Sequence, residues 1–506
     1  MGNLYWGCKP KVPYSRPEIT STPNIFLGKT TMDSKIVSAL AMIPKFYERI
    51  SSRRKDIFLC FLVLVAALIM RVPFLNYPPE PLYDEEPYVF FVTATVFNIP
   101  YFDIHPPLAK MIYAAIAKQD RPPLLAYEYV NDAGQIAYSD WASMAKHFTE
   151  FPYISVRLID ALAGSLLAGV LFLLARTLGL SRKKAFIVGL FVVCDGAFIL
   201  FSRIIQPDMI MLLFGFSGLT FFLQSSRTPH SGVQKFFLLV AALLLGLALS
   251  IKWTALGFLV VVLFQSLSQK KWATVIFLPI ISLTVYTSVF ALFIFHTNPG
   301  TLPPAQNIYR IDYIESLTFP GKTTVPQLLS FVARYHHVMQ SVNTEESFQR
   351  MTPKRSPVYL WPNALGEQTY YTSVHKKIGF AGNFIVWNLA FISILTLVGT
   401  ILYRWLATMS KKNTSVRHLS QSESFLLSGY IINLLPFFFI TLARPMYIYH
   451  YFTALIFAFV SIPFGLTRLF NYANVSEKTQ NILYKSFTLL AILFALVLFP
   501  LAYGIL

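Results

Sequence analysis

The chain has 506 residues, of which 55% are hydrophobic and 13% are charged, and its formal net charge is +18. A soluble globule of this length needs a charged surface, so this composition excludes a soluble protein. Because the basic residues lie mainly in the N-terminal tail and in alternate short loops, the positive charge indicates membrane lipids, and not nucleic acid, as the partner.

Runs of close to twenty apolar residues are typical of helices that span a bilayer. About eleven such runs predict an all-α polytopic membrane protein. The runs lie at residues 57–76, 154–178, 185–201, 208–225, 234–250, 253–268, 273–296, 380–403, 424–443, 447–470 and 482–504. We therefore divide the chain into a basic cytoplasmic tail, residues 1–56, and a transmembrane domain, residues 57–506.

Two long segments between these runs lie opposite to the basic loops. Lysine and arginine accumulate in cytoplasmic loops, so a cytoplasmic N-terminus places residues 77–153 and 297–379 on the external or luminal face. Short turns near residues 202–207, 252 and 443–447 reach the same face. The external segments are therefore where we look for chemistry.

The first external segment contains the acidic run Asp84, Glu85 and Glu86, followed by Pro87. Carboxylates before a proline are typical of a helix start, so one interpretation is the capping of an interfacial helix over residues 88–97. The other is that one carboxylate faces a cavity as a general base, because desolvation or a second carboxylate raises its pKa. These four residues leave both interpretations open.

The stretch YFDIHPPLAK, residues 101–110, lies further along the same segment. Its two prolines predict a rigid entry into a second interfacial helix over residues 108–117. His105 is either a satisfied interfacial histidine or a residue that orients a substrate, and the sequence does not separate the two.

Charged residues inside or beside the spans favour a functional site, since they are costly in a membrane. Five cationic or titratable side chains approach the face that bears the acidic run, and they are Arg157, Arg203, Lys252, Arg444 and His450. Snorkelling of Arg157 and Arg203 to lipid headgroups is the alternative. A carboxylate base among cations would suit a reaction in which a lipid-linked phosphate leaves.

These motifs, in this order, resemble those of the protein O-mannosyltransferase family. The run Tyr83-Asp84-Glu85 and the block His105-Pro106-Pro107-Leu108-Ala109-Lys110 carry most of the resemblance. Further matches follow along the chain, and they are Cys194-Asp195-Gly196, Ser202-Arg203 with Asp208, Ser250-Ile251-Lys252-Trp253-Thr254, Trp361-Pro362, Gly382-Asn383 with Trp387, and His450-Tyr451. The resemblance extends over residues 57–470.

The resemblance implies a GT-C glycosyltransferase fold with luminal or periplasmic amphipathic helices. The implied activity is an inverting transfer of mannose from a dolichyl or polyprenyl phosphate to serine or threonine hydroxyls of an acceptor protein. Asp84 would be the general base, and Glu85 would position the acceptor or tune Asp84. The residues that would bind the donor phosphate are Arg157, Arg203, Lys252 and Arg444. Those that would orient the substrates are His105, Lys110, Asp208, Trp361, His450 and Tyr451.

We expect no metal and no other cofactor, because no cluster of candidate ligands has metal-binding spacing. Eukaryotic members of the family carry a β-trefoil MIR insert in the long loop, and residues 297–379 are too few to hold it. We therefore expect the short form of the enzyme in a bacterial plasma membrane, or in the endoplasmic reticulum membrane if the source is eukaryotic.

Three alternatives remain at this point. A related GT-C enzyme would move another lipid-linked sugar onto a lipid or a glycan. A polytopic transporter would show two similar halves or broken spans in corresponding places, which the sequence lacks. A membrane scaffold would not need carboxylates and cations to converge on one face.

Overall fold

The computed structural model describes residues 51–82, 84–98, 101–120, 128–130, 136–138, 151–228, 230–296, 324–344, 357–364, 368–372, 377–410, 416–443 and 446–504. The chain divides into two units, Met1–Lys55 and Asp56–Leu506. The predicted tail, residues 1–56, lies outside the described residues up to residue 50, and Arg444 lies outside them as well.

Helices make up most of the second unit. In chain order they are α1 (Ser52–Arg71), α2 (Glu85–Val96), α3 (Leu108–Ala117), α4 (Tyr153–Thr177), α5 (Arg182–Val193), α6 (Gly196–Phe201), α7 (Asp208–Ser225), α8 (Ser231–Leu249), α9 (Leu256–Ser268), α10 (Trp272–His296), α11 (Val325–Thr344), α12 (Phe384–Met409), α13 (Gln421–Ala443), α14 (Phe452–Tyr472) and α15 (Glu477–Tyr503). Short 3-10 turns lie at Lys118–Asp120, Trp253–Ala255, Val358–Asn363 and Ile448–Tyr451.

The described strands form two antiparallel pairs. β1 (Glu128–Val130) pairs with β2 (Ile136–Tyr138), with Tyr129 opposite Ala137. β3 (Gln368–Thr372) pairs with β4 (Lys377–Phe380), and the register shifts between Thr369 and Tyr371. Both pairs lie in the long segments predicted to be external.

Eight helices among the described residues are long and apolar enough to cross a membrane. They are α4, α7, α8, α10, α12, α13, α14 with its preceding 3-10 turn, and α15. The other three predicted spans differ from this pattern: α1 carries charges at both ends, α9 has only 13 residues, and the run 185–201 is divided between α5 and α6. The prediction of an all-α polytopic membrane protein is confirmed.

The prediction of one continuous helix over residues 185–201 is wrong, because Asp195 ends α5 and begins α6. Its carboxylate accepts hydrogen bonds from the backbone N–H groups of Ala197 and Phe198, each at 3.1 Å. It also accepts from the Asn383 N–H at 2.8 Å and from the Trp387 Nε1 at 2.6 Å. Since a buried charge is stable only with such partners, Asp195 ties this break to the start of α12.

Among the described residues, the buried apolar side chains form three clusters, of which two are large. In the main core, α4 packs on α5 and α7, α7 packs on α8, and α14 packs on α12 and α13. A second cluster joins α11 to the end of α10 and to the segment after α2. Its largest members are Phe91, Tyr101, Phe102, Tyr286, Phe290, Phe293, Phe331, Tyr335 and Met339.

The two short helices predicted for the first external segment are present. Residues 88–97 were expected to be helical, and α2 covers Glu85–Val96; residues 108–117 were expected, and α3 covers Leu108–Ala117. The Leu108 N–H donates to the Ser250 carbonyl at 3.1 Å, which fixes the start of α3 to the turn between α8 and α9. This contact brings the acidic segment to the same end of the bundle as Lys252.

Candidate active site

A buried ion pair joins the acidic segment to α4. The Arg157 Nε donates to Glu85 Oε1 at 2.8 Å, and Arg157 Nη2 donates to Glu85 Oε2 at 2.6 Å. Both side chains are fully buried. Glu85 also accepts from the N–H groups of Leu82 at 2.8 Å and Ile205 at 2.7 Å. The carboxylate therefore fixes three segments of chain, with a bidentate geometry that favours strong pairing.

The rest of the Arg157 guanidinium binds backbone carbonyls. Nη1 donates to the carbonyls of Leu75 at 3.0 Å and Pro78 at 2.8 Å, and Nη2 lies 3.4 Å from the Glu80 carbonyl. The snorkelling alternative for Arg157 is therefore wrong. The sequence predicts that Arg157 binds the donor phosphate near the base Asp84, whereas in the structure Arg157 pairs with Glu85 inside the protein. Its phosphate-binding role stays a prediction that these contacts do not favour.

Asp84 lies beside this pair in a different environment. It is partly exposed, and it occupies the N-cap position of α2 without making a side-chain capping hydrogen bond. The Gln206 Nε2 donates to its Oδ2 at 3.1 Å. Burial raises the pKa of Asp84, while the Gln206 hydrogen bond and the Lys252 charge act in the opposite direction. The acidic run does mark the start of α2, as the capping interpretation predicted, but Asp84 makes no side-chain capping hydrogen bond, and its environment is suited to a general base.

Sequence reasoning missed Gln206. The nitrogen and the oxygen of its side-chain amide have different environments. Because Nε2 donates to a carboxylate, the amide is oriented with Oε1 on the other side. That oxygen is buried and has no hydrogen-bond partner among the described residues. The only signal in the sequence was an amide immediately before Pro207 in an external turn, next to the Asp208 that the motif contains.

A second buried carboxylate, Asp160, supports the same turn. The Tyr113 hydroxyl lies 2.8 Å from each Asp160 oxygen, and the Gln206 backbone also hydrogen-bonds this carboxylate. Asp160 is fully buried and lies one helical turn beyond Arg157 on α4. The turn that carries Gln206 is thus fixed by Glu85 on one side and by Asp160 on the other.

Two lysines lie at the site, each paired with an aspartate. Lys252 Nζ donates to Asp208 Oδ2 at 2.7 Å and lies 5.1 Å from the centre of the Tyr449 ring. Lys110 Nζ pairs with Asp103 and donates to the His105 carbonyl at 2.8 Å. Sequence reasoning placed both lysines at the site, and the structure brings each of them to an acid.

These lysines are almost completely removed from water. Lys110 is 1% exposed and Lys252 is 3% exposed. Burial lowers the pKa of Lys110, and the Asp103 carboxylate raises it again. The charge of Lys252 acts on both Lys110 and Asp84, so the two lysines and Asp84 form one electrostatic group. His105 is half-buried, and its backbone rather than its ring makes the contact with Lys110.

Arg203 binds backbone carbonyls at the end of α1 and packs on the ring of Tyr503. Its guanidinium donates to the carbonyls of Pro73 and Phe74, the latter at 2.9 Å, and lies 3.9 Å from the centre of the Tyr503 ring. It is 4% exposed, so the snorkelling alternative is wrong for this residue too. Arg203 connects the end of α1 to the end of α15, and the phosphate-binding role stays a prediction.

Trp361, His450 and Tyr451 belong to an aromatic group at the edge of the site. The Trp361 and Tyr451 ring centres are 6.2 Å apart, and both side chains are buried. The His450 ring stacks on Tyr449 with centres 4.4 Å apart. Since Tyr449 also faces Lys252, this group adjoins that lysine. The role of these three residues in orienting a substrate stays a prediction.

Two family descriptions match most of the chain. Residues 61–297 match dolichyl-phosphate-mannose-protein mannosyltransferase, and residues 329–506 match the C-terminal four-transmembrane region of protein O-mannosyltransferase. Dolichyl-phosphate-mannose–protein mannosyltransferase 5 of Saccharomyces cerevisiae is 28% identical over 207 residues, which are 41% of this chain and 26% of that protein. Protein O-mannosyltransferase 1 of Drosophila melanogaster is 30% identical over 198 residues, 38% of this chain and 21% of that protein. The aligned part spans about a quarter of the length of these relatives.

The fold also has a solved counterpart. The structure of the S. cerevisiae protein O-mannosyltransferase Pmt1–Pmt2 complex bound to the sugar donor matches with a TM-score of 0.71. The match covers 92% of this chain and 92% of that chain at 15% sequence identity. At that identity, the likeness concerns the arrangement of helices and not the individual side chains.

Proposed function

The chain belongs to the protein O-mannosyltransferase family, and on that premise we propose that it transfers mannose from a polyprenyl or dolichyl phosphate to protein hydroxyls. It is a multi-pass membrane protein with the GT-C fold. The acceptors are serine and threonine side chains on the external or luminal face. The lipid-linked mannose is a substrate, and the proposal includes no metal or other cofactor.

Asp84 acts as the general base in this proposal. Its carboxylate takes the proton of the acceptor hydroxyl while that oxygen forms a bond to the anomeric carbon of mannose. The bond from the same carbon to the phosphate oxygen breaks, and the electron pair leaves with the lipid phosphate. Attack from the face opposite to the phosphate inverts the anomeric centre, through a transition state with oxocarbenium character.

The observation that carries the assignment is the difference in burial between the two acids of the motif. Glu85 is fully buried and has four hydrogen bonds to groups that fix it, whereas Asp84 is partly exposed and receives one from a side chain. A base must reach the proton that it abstracts, so Asp84 is the suitable member. Glu85 and Arg157 become positioning residues that hold the loop of Asp84.

Lys252 is the cation best placed among the described residues to stabilise the leaving phosphate. It acts electrostatically on Asp84, and its ammonium group has three donors, of which one is directed to Asp208. A positive charge in a site from which water is excluded stabilises developing negative charge more than it would in water. Arg444 stays a predicted phosphate ligand.

The test is Asp84→Asn in purified protein, assayed with radiolabelled lipid-phosphate mannose and a serine- or threonine-containing peptide. We expect the rate of transfer to fall by at least ~10²-fold, because general-base catalysis contributes about that much. Asp56→Asn is the matched control, since Asp56 is a paired aspartate on α1, bound to Arg182 at 2.7 Å, away from the site. Wild-type turnover in Asp84→Asn would reject Asp84 as the base.

The same assay separates the related GT-C alternative. If the label from lipid-phosphate mannose appears in peptide, the protein-directed reaction is supported; if it appears only in a lipid fraction, that reaction is rejected. Fractionation of the source cells then shows which membrane contains the protein. We propose the bacterial plasma membrane, from the short loop at 297–379, and recovery of the protein in the endoplasmic reticulum would contradict this.

A further inference from the structure

Helix α11, in the second external segment, places two adjacent side chains against the site. The Tyr335 hydroxyl accepts a hydrogen bond from the Asp103 N–H at 3.1 Å, and Tyr335 is 3% exposed. The next residue, His336, faces α10 and the turn after Lys252. Its Nε2 lies 2.5 Å from the Tyr286 hydroxyl, and its ring stacks on Trp253.

The hydrogen bonds of His336 have one consistent direction. Nδ1 lies 2.6 Å from the Val332 carbonyl, which can only accept, so Nδ1 carries the proton. In the neutral ring, Nε2 is then an acceptor for the Tyr286 hydroxyl. The Trp253 Nε1, which can only donate, completes the series by donating to the Tyr286 oxygen at 2.9 Å.

Both contacts of α11 end next to a lysine of the site. Asp103, which Tyr335 holds through its backbone, is the carboxylate that pairs with Lys110. Trp253, which His336 holds through Tyr286, follows Lys252 directly in the chain. The two adjacent residues of α11 therefore reach the two lysines by separate routes.

The helix that makes these contacts docks on its own apolar cluster. Phe331, Tyr335 and Met339 pack with residues of α10 and of the segment 101–102, apart from the main core. Changes within a separate cluster alter local structure without unfolding the rest of the molecule. Substitutions at the polar contacts of α11 can therefore be tested in a folded protein.

We propose that Tyr335 and His336 are positioning residues for the phosphate of the lipid-linked donor. By fixing Asp103 and Trp253, they set the positions of Lys110 and Lys252, each of which is buried and paired with an aspartate of the site. This inference rests on the proposed mannosyl transfer, and it assigns to α11 a role in binding the donor and not the acceptor.

The experiment compares three variants by steady-state kinetics with lipid-phosphate mannose and an acceptor peptide. His336→Leu removes both ring nitrogens, and Tyr286→Phe removes only the hydroxyl that joins His336 to Trp253. We expect each to raise the KM for the donor about tenfold, since each loses buried hydrogen bonds, and to leave the KM for the peptide unchanged. His336→Gln keeps an acceptor for Tyr286 and should restore most of the donor affinity.

His337→Gln is the matched control, because His337 is the next residue on α11 and its side chain is exposed. It should have wild-type values of both KM and kcat. The inference is overturned if the wild type transfers mannose while His336→Leu and Tyr286→Phe retain the wild-type KM for the donor. Equal increases in the KM for donor and for peptide would also overturn it, as would failure of His336→Gln to restore donor affinity. An inactive wild type would instead reject the proposed function itself.

Discussion

Two neighbouring regions of the site give the adjacent acids Glu85 and Asp84 opposite environments. In the clamp, which we define as Glu85 and Arg157 with their backbone partners, both charges are fully buried and bound by fixed groups. In the pocket, defined as Asp84, Gln206 and Lys252, the acid is partly exposed and receives one side-chain hydrogen bond. The clamp fixes the backbone at the site, and the acid of the pocket stays accessible to a substrate.

The difference shows that charge near a membrane face does not by itself identify a catalytic group. A charge taken out of water needs partners for every hydrogen-bonding atom, and a charge satisfied in this way is unavailable to a substrate. Arg157 and Arg203 illustrate this, since both bind backbone carbonyls inside the protein. The number of fixed partners separates structural from reactive charges.

The largest expected effect is a loss of stability when the clamp is disrupted. Arg157→Ala leaves the Glu85 carboxylate buried without its cation, so we expect the free energy of unfolding to fall by ~3–5 kcal/mol. Asp84→Asn removes a partly exposed acid with one side-chain donor and should change stability by less than ~1 kcal/mol. Thermal denaturation of the purified variants in detergent measures both.

A pairing test sharpens this prediction. If the loss of stability in Arg157→Ala comes from the unpaired charge of Glu85, removing that charge should recover part of it. The double variant Glu85→Gln/Arg157→Ala should then lose less free energy of unfolding than the sum of the losses in the two single variants. Equal melting temperatures of Arg157→Ala and Asp84→Asn would remove the distinction between clamp and pocket.

An intermediate effect concerns the pocket alone. The Gln206 hydrogen bond lowers the pKa of Asp84, so its removal in Gln206→Leu should raise that pKa further. A base works only when it is deprotonated, and activity therefore falls as the pH falls through its pKa. We therefore expect the acid limb of kcat/KM to move to higher pH in Gln206→Leu.

The readout is the full pH profile of mannosyl transfer, in which the rate at alkaline pH should approach that of the wild type. Gln206→Glu would place a second carboxylate against Asp84, and it should move the limb in the same direction and further. An acid limb in Gln206→Leu at the wild-type position would separate Gln206 from the base.

Much of the fold was predictable because the apolar runs are long. Lengths near twenty residues and the basic loops fixed the class and the order of the helices. The capping of α6 by Asp195 is a local signal, but the contacts with Asn383 and Trp387 that keep this carboxylate buried were not predictable, since they come from almost two hundred residues away in the chain. The helices α2 and α3 were found within three residues of their bounds, because prolines mark both starts.

The site was predictable only to the level of residue types. Asp84 and Glu85 are adjacent and similar in chemistry, and only tertiary contacts show which one is fixed by Arg157. Gln206 carries no charge and matches no pattern, although it is the residue that donates to Asp84. The sequence did not indicate the proposed role of His336 either, because that role depends on a contact with Tyr286, fifty residues earlier in the chain.

The smallest expected effect lies at an ion pair outside both regions. Asp56 accepts from Arg182 at 2.7 Å and from Arg176 at 3.1 Å, and these side chains keep about a quarter of their exposure. Solvent screens such pairs, so Asp56→Asn should lower the free energy of unfolding by no more than ~1 kcal/mol and leave mannosyl transfer unchanged. The same denaturation assay at low and high salt checks this. Because salt screens the ion pair, the difference in stability between the wild type and Asp56→Asn should become smaller at high salt. A loss comparable with that of Arg157→Ala would show that burial does not govern the strength of these pairs.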